Sequence, residues 1–548
     1  MSAFTILQRV RQVSPPVDFG TIPGKPTDPA AWLRDAEQLY WHAASPSTAG
    51  SLSVARSADT FFNAFFAAYW RRLTGLRSLS LRLRLKGRFL VQLHRDSING
   101  KEVLHSIKVT QGEDGFRFDF PAEGADLAGL RYSFSTVALD KTAEFLGGEW
   151  ITSDPAPAPV RLTIAITTHN RQSFAEAAVR KILADPALTA EEVRLLVIDQ
   201  SDESKLEHLH SDRCQVIHQR NLGGAGGFTR AMYEQAHRAD DSWSTHLLLM
   251  DDDLHLETDS ILRALRLAQY AVKPVILGGA MLDLITPTRL NCLGDFFTNE
   301  KGRHLISQHL GNLNAAHPDT LQKVSAPTPI DYCGWWFCLI PIETIRRLQL
   351  PYPLFIKADD IEYGLRAQAA GIPSQTIPGI GVWHLPFLLK QAPWVFCVEQ
   401  YNHLILNGLS GLPELTETLR SHCIQVPLLM QMGQLDYAAA RILAIEKYLL
   451  GWRYFRSRTA PDWVADLRSQ LAKFQVARGT PQAPALEQEV QSRLQAIAAH
   501  SGAEIQAIFE EFRLRLPATR TAASWQLYLQ SGNLLHLPDS ALPAKPGT

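Results

Sequence analysis

The sequence predicts an α/β protein in three parts, and three changes of pattern mark them. Up to residue 155, short alternating strands follow one another closely, as in a β-sandwich. From 156 to 395, strands alternate with helices, as in a mostly parallel sheet covered on both faces. From 396 to 548, apolar residues recur at helical spacing.

Composition permits this division and excludes some roles. A chain of 548 residues has room for about three to four domains. With 46% hydrophobic residues it can fill their cores. A net charge of −1 lacks the basic footprint of a nucleic-acid-binding protein. The six cysteines (Cys214, Cys292, Cys333, Cys338, Cys397, Cys423) lack metal-ligand spacing and read as free thiols of a reducing compartment. The first residues carry no long apolar core of a secretory signal, and no apolar run reaches the ~18 residues of a membrane span. The expectation is a cytoplasmic protein, soluble or held peripherally at the inner face of the membrane.

In the first part, Leu79–Gly87 alternates apolar residues with Arg82, Arg84 and Lys86, the pattern of a half-buried strand with a basic outer face. Strands are expected at Phe89–Arg95 and Glu102–Val109, with Asn99-Gly100 as the turn signal between them. A further alternation begins at Phe116. The aromatic run Thr60–Trp70 suits packing against a neighbouring domain, with a sugar-stacking surface as the alternative. Asp154–Pro159 is a stiff, proline-rich boundary.

In the second part, strands are expected at Val160–Thr168, Val193–Asp199, Cys214–Gln219 and Leu247–Met250, and helices at Ser173–Leu183 and Thr229–Arg238. Ligands of such sheets bind beyond the carboxyl ends of the strands. Thr168, Asn170, Arg171, Asp199, Asn221 and the triplet Asp251-Asp252-Asp253 all fall at strand ends. Gly223–Gly227 does not make a dinucleotide fingerprint, because it follows the third strand and not the first. Its glycines would serve a close approach to a nucleotide or sugar, or a tight turn.

Three adjacent carboxylates repel one another unless a cation sits among them, and carboxylate oxygens are divalent-metal ligands. Mg²⁺ or Mn²⁺ on Asp251 and Asp253 would neutralise a nucleoside-diphosphate leaving group. Asp252 then points to the ribose or to structural hydrogen bonds. Asp199 can hold a uracil or ribose, and Arg171 a base or phosphate. Trp335-Trp336 is either core or a platform for a sugar ring. Asp359-Asp360 opens a helical pattern; the pair either caps that helix or supplies a general base. His384 ends an apolar strand and is either structural or a metal ligand.

Taken together, Phe61-Phe-Asn-Ala-Phe-Phe-Ala-Ala-Tyr-Trp-Arg-Arg72, Asn221-Leu-Gly-Gly-Ala-Gly-Gly-Phe228, Asp251-Asp-Asp253, Trp335-Trp336, Lys357-Ala-Asp-Asp-Ile-Glu-Tyr-Gly-Leu-Arg366 and Val382-Trp-His384 resemble the inverting GT-A glycosyltransferases. They look most like the bacterial galactofuranosyltransferases that polymerise cell-wall galactan. The resemblance implies an N-terminal β-sandwich over 1–155, a GT-A catalytic domain over 156–395 and a helical region over 396–548. It implies UDP-galactofuranose as donor, Mn²⁺ or Mg²⁺ as cofactor, and a growing glycan on a lipid carrier as acceptor. Asp251, Asp253 and His384 would hold the metal, with Asp360 as general base and Asp359 beside it on the acceptor. Trp335 and Trp336 would shape the acceptor site. Arg171, Asp199 and Asn221 would face the UDP moiety. One departure stands out: the resemblance implies an aromatic where this chain has His169.

In the last part, helices are expected at Leu435–Leu450, from Asp462, at Ala485–Ala499 and at Ala503–Leu516. Arg453, Arg456 and Arg458, interleaved with Trp452, Tyr454 and Phe455, would suit an anionic membrane surface or an ordinary helix end. The Pro- and Ala-rich tail after Leu537 is expected to be poorly ordered. Oligomeric state stays open, a homo-oligomer included. Two other functions compete: transfer of a different UDP-hexose, and a non-catalytic carbohydrate-binding role, in which Asp360 and the triplet would have no reason to be kept. Use of the glycine run by an NAD-dependent oxidoreductase fails on its placement.

Overall fold

The computed structural model describes residues 4–13, 28–43, 55–110, 116–119, 127–237, 243–300, 303–308, 310–409, 415–477 and 479–537. The tail expected to be poorly ordered lies outside the described residues.

Two antiparallel sheets form the first part. One has the order Thr5–Val10, Glu144–Thr152, Ser80–Lys86, Phe116–Asp119. The other runs His42–Ala43, Ala55–Ser57, Arg131–Ala138, Arg88–Ser97, Gly100–Thr110. The alternation read at Leu79–Gly87 has a direct structural cause: Leu81, Leu83 and Leu85 are buried while Arg84 and Lys86 face solvent. The hairpin turn falls one residue earlier than its sequence signal, because Ser97 pairs with Gly100. Ile98 and Asn99 make the turn, and Gly100 opens the return strand at φ 113°.

The aromatic run is interior. Phe61, Phe62, Phe65, Phe66, Tyr69 and Trp70 are all buried, which removes the sugar-stacking alternative. Phe62 packs on Trp383 of the central domain with ring centroids 5.3 Å apart. Arg263 fastens the same joint. Its guanidinium donates to the carbonyls of Phe62 (2.6 Å), Gly379 (2.7 Å) and Arg9 (3.1 Å), and pairs with Asp259. Such a buried cation is tolerable only with all its donors engaged.

The central sheet is mixed. Cys214–His218, Val193–Asp199, Leu162–Thr168 and His246–Asp251 are parallel neighbours in that order. Phe337–Pro341 then runs antiparallel to His246–Asp251. Ile276–Asp283 follows, and Ser374–His384 pairs with it in parallel and with Leu254–Leu256 antiparallel. Alternate residues feed two separate cores. Ile164, Ile166, Val197, Leu248 and Met250 join the core that includes the N-terminal aromatics. Ala165, Leu196, Ile198, Leu247 and Leu249 join the one that includes the C-terminal helices. The result is a mixed α/β sheet with the strand sandwich on one side and helices on the other.

The glycine run departs from the expected helix start at Thr229. The helix spans Gly223–Ala236, so the glycines form its first turns. A Cβ on Gly227 would lie 1.9 Å from Thr167 Oγ1, and one on Gly223 would lie 2.1 Å from the carbonyl oxygen of Phe355. Close docking of this helix on strand and loop therefore explains those two glycines.

The last part is helical as expected, with Pro393–Leu409, Leu435–Leu449, Ala460–Ala472, Ala483–Ala498 and Gly502–Arg515 among its helices. In the Arg453–Arg458 stretch the aromatics turn inward while Arg453 is exposed. Trp452 and Phe455 are buried, and the Arg458 guanidinium lies 3.8 Å from the centre of the Trp463 ring and 4.5 Å from that of Phe455. Arg458 is thus engaged in cation–π packing inside the helical region, and Arg456 donates to the carbonyls of Leu535 and Leu537. All six cysteines are free, and only Cys423 is partly exposed. Among the described residues no helix is long and apolar enough to cross a membrane.

Candidate active site

Strand register brings the chemistry to one edge of the sheet. Thr168 pairs with Asp199, Asp199 with His218, and Thr167 with Asp251. The turn after Asp251 carries Asp252 and Asp253 into Leu254–Leu256, whose Leu254 pairs with His384. Two segments far apart in sequence thus meet as Asp251, Asp253 and His384, with a ligand-type atom from each within 4.8 Å of the others.

These three groups fit a divalent cation. Two carboxylates and an imidazole suit Mn²⁺ or Mg²⁺. Asp253 Oδ1 is buried without a hydrogen-bond partner. His384 Nε2 stands 3.5 Å from Asp253 Oδ1 and 3.8 Å from Asp251 Oδ2. Burial, then the Lys390 ammonium, pushes His384 down to about 4, so the ring is neutral and Nε2 can offer its lone pair. Burial alone would raise Asp253; His384, Lys390 and Arg171 outweigh it and hold this carboxyl well below the usual range. Asp251 is raised by burial and by Asp253.

Asp252 takes a different part. Its side chain is fully buried and pairs with Arg171 at 2.7 Å. Burial lifts it to about 7 against the pull of that arginine. Arg171 also donates to Asp253 at 2.6 Å, so in this structure the guanidinium sits on the triplet. Asp199 is wholly buried: Oδ1 accepts from the Ser201 amide at 3.0 Å, while Oδ2 has no hydrogen-bond partner. Asn221 accepts from the Gly223 amide at 2.9 Å and donates to His169 Nε2 at 3.2 Å. His169 in turn donates from Nδ1 to the carbonyl of Gln200 at 2.8 Å. The residue standing where an aromatic was expected therefore orients Asn221 through a defined tautomer.

Trp335 and Trp336 are 5% and 8% exposed. Trp335 packs edge-on against Phe228 and Tyr363, and Trp336 donates to the carbonyl of Gly279 at 3.0 Å. Both rings are packed in the interior, and the Trp336 carbonyl accepts from the Asp251 amide at 3.4 Å.

Asp359 and Asp360 open the helix Asp359–Ala369. Burial, then the charge of Asp359, pushes Asp360 up to about 8; burial lifts Asp359 to about 6. The preceding loop is strained: Phe355, Lys357 and Ala358 lie at φ 73°, 66° and 71°, a region non-glycine residues seldom occupy. Asn402, from the C-terminal helices, holds it by donating to the carbonyls of Leu354, Ile356 and Lys357 at 3.0, 2.8 and 3.0 Å. The Ala225 amide, from the glycine-rich helix, holds Phe355 O at 3.0 Å.

Sequence reasoning missed Asn402 and two lysines. Lys357 acts electrostatically on Asp251, Asp359, Asp360 and His384, so its charge reaches both the acidic triplet and the Asp359-Asp360 pair. Its ammonium lies 4.5 Å from the ring centre of Phe387. Lys390 hydrogen-bonds His384 and Asp253 directly. Proximity of Lys357 to Asp359-Asp360 in the sequence was a signal; nothing local pointed to Lys390 or Asn402.

Residues 158–400 match the family described as Glycosyltransferase like family 2, and residues 35–152 match Galactofuranosyltransferase 2 N-terminal. Together the two matches mark the chain as a glycosyltransferase similar to the galactofuranosyltransferases. It is 29% identical over 467 residues to the galactofuranosyltransferase GlfT2 of Mycobacterium tuberculosis, spanning 78% of this chain and 71% of that relative. Against GlfT2 of Mycolicibacterium smegmatis it is 28% identical over 493 residues, spanning 84% and 75%. The protein is a glycosyltransferase, and the family matches cover both the sandwich and the domain that carries the acidic edge.

Proposed function

We propose that this glycosyltransferase moves galactofuranose from UDP-galactofuranose to a glycan acceptor carried on a lipid, with inversion and with a divalent metal. One observation carries the reading. The triad Asp251, Asp253 and His384 is electrostatically linked, through Asp251 and Asp359, to a carboxyl pair, Asp359-Asp360, whose environment pushes the opposite way from that of Asp253. Two carboxyl groups with pKa values driven apart are a division of labour, one to stay ionised and one to trade a proton.

In this reading a bound Mn²⁺ or Mg²⁺ on Asp251, Asp253 and His384 supplies charge neutralisation for the departing diphosphate. Asp199 and Asn221 receive the uridine part, and Arg171 leaves the triplet to meet the phosphates. Asp360 accepts the proton of the attacking hydroxyl, and a carboxyl raised toward neutral pH is a stronger base than an ordinary aspartate. Asp359 orients the acceptor beside it. Inversion follows from one base and one in-line attack, with no second nucleophile required. Peripheral contact with a membrane follows from a lipid-carried acceptor.

The test is a panel of UDP-sugars with Mn²⁺ and a synthetic galactofuranosyl acceptor. Turnover is expected with UDP-galactofuranose. Use of UDP-galactopyranose or UDP-glucose in its place would assign a different hexose, and tight glycan binding without turnover of any donor would make the protein a carbohydrate-binding one.

A further inference from the structure

Lys390 follows the short turn Phe387–Leu389, six residues beyond His384. Its Nζ donates to His384 Nε2 at 2.9 Å and to Asp253 Oδ2. Both acceptors belong to the triad read above as the metal site, and both are buried, each side chain being 2% exposed. The lysine itself reaches in from the rim with 29% of its side chain exposed. An ammonium is a compact monocation that makes three hydrogen bonds. Here it satisfies the lone pair and the charge that a divalent ion would satisfy.

We propose that Lys390 is a resident counter-cation of the metal site, a positioning residue that holds Asp253 and His384 in ligand geometry and is exchanged for the divalent ion. This rests on the reading of Asp251, Asp253 and His384 as metal ligands. Two consequences follow from like-charge repulsion at contact distance. The ammonium and the divalent ion cannot share His384 Nε2 or crowd the same Asp253 carboxylate, so metal must displace the lysine and its affinity is reduced by the cost of doing so. The lysine has somewhere to go, because its stem already lies at the rim. Arg171 does not duplicate this role: it bonds Asp252 and the same Asp253 carboxylate, but no hydrogen bond joins it to His384 among the described contacts.

Mn²⁺ binding to the full-length protein without donor, measured by electron paramagnetic resonance of the free ion, tests the exchange. Lys390→Gln is expected to bind Mn²⁺ about tenfold more tightly than wild type, the lower end of what losing a charge-assisted hydrogen bond to a carboxylate is worth. Lys390→Arg, which keeps a cation, is expected to stay close to wild type. A second measurement guards against a damaged variant: without metal, Lys390→Gln should melt at a lower temperature than wild type, and Mn²⁺ should raise its midpoint by more. Unchanged or weaker Mn²⁺ binding by Lys390→Gln overturns the proposal. Asp253→Asn separates the two levels, since Mn²⁺ binding that survives it unaltered would instead overturn the metal-site reading itself.

Discussion

Asn402 donates from Nδ2 to the main-chain carbonyl of Lys357 at 3.0 Å, and the same amide group also meets the carbonyls of Leu354 and Ile356. A fully buried side chain of the C-terminal helices thereby fixes the left-handed turn that aims Asp359 and Asp360. Asn402→Leu would leave buried carbonyls unpaired, at about 1–3 kcal/mol each. The expected outcome is a lower midpoint in thermal unfolding, together with a fall in kcat larger than any change in donor KM. A fall in stability with unchanged kcat would show that the loop keeps its shape without this clamp.

Asp360→Asn keeps the shape and removes the proton acceptor. Loss of a general base costs roughly 10²–10⁴-fold in rate. Transfer should drop by that factor while UDP binding, followed by calorimetry, stays within about twofold of wild type, because a uniform-binding contact is not being removed. Retained turnover would take the base assignment away from Asp360.

The raised carboxyls give activity and stability opposite pH dependences. Asp360 is up at about 8 and Asp359 at about 6, against an ordinary 3.8. A base works only when deprotonated, so kcat/KM should rise with pH along a limb belonging to the pair, between about 6 and 8. Asp359→Asn removes the like charge and should move that limb to lower pH. For stability, a folded-state value above the unfolded one means the contribution is complete below about 3.8 and is lost as pH rises through about 8. A metal-free melting series across that window, run beside Asp360→Asn, isolates this contribution.

Much of this site was legible because strand-end position converts directly into place in a parallel sheet. Thr168, Asp199 and Asp251 each ended an apolar run, and pairing register put them on one edge. The aromatic run announced burial, though its partner Trp383 lies more than three hundred residues away. The interactions of single side chains across domains had no local trace. Asn402 sits in an ordinary helical pattern, and only tertiary contact makes it a clamp. Arg171 was placed at this edge by its strand-end position, but its pairing with Asp252 and Asp253 could not be read from spacing. The glycines misled for a physical reason: glycine permits a loop, and it equally permits a helix to touch a strand.

Chelation should separate structure from catalysis. Any ion that binds only the folded protein stabilises it by mass action, by about 2.7 kcal/mol at a hundred times its Kd. Excess EDTA is expected to abolish transfer and to lower the thermal midpoint to the metal-free value, and added Mn²⁺ to restore both. Full transfer in EDTA would remove Asp251, Asp253 and His384 from the reaction as metal ligands.

The glycine-rich helix supplies a paired test of packing. Gly227→Ala places a Cβ 1.9 Å from Thr167 Oγ1 and 2.9 Å from Gln200 Nε2, in a strand and loop that carry the site. Such overpacking costs about 1–3 kcal/mol. Gly224, in the same helix, has nothing within 4 Å of its Cβ position, so Gly224→Ala should gain roughly 0.4–1 kcal/mol from reduced unfolded-state entropy. Opposite shifts of the two midpoints would assign Gly227 to helix-on-strand contact. If Gly227→Ala were as harmless to stability as Gly224→Ala, the helix would have room to withdraw, and close docking could not be the reason for that glycine.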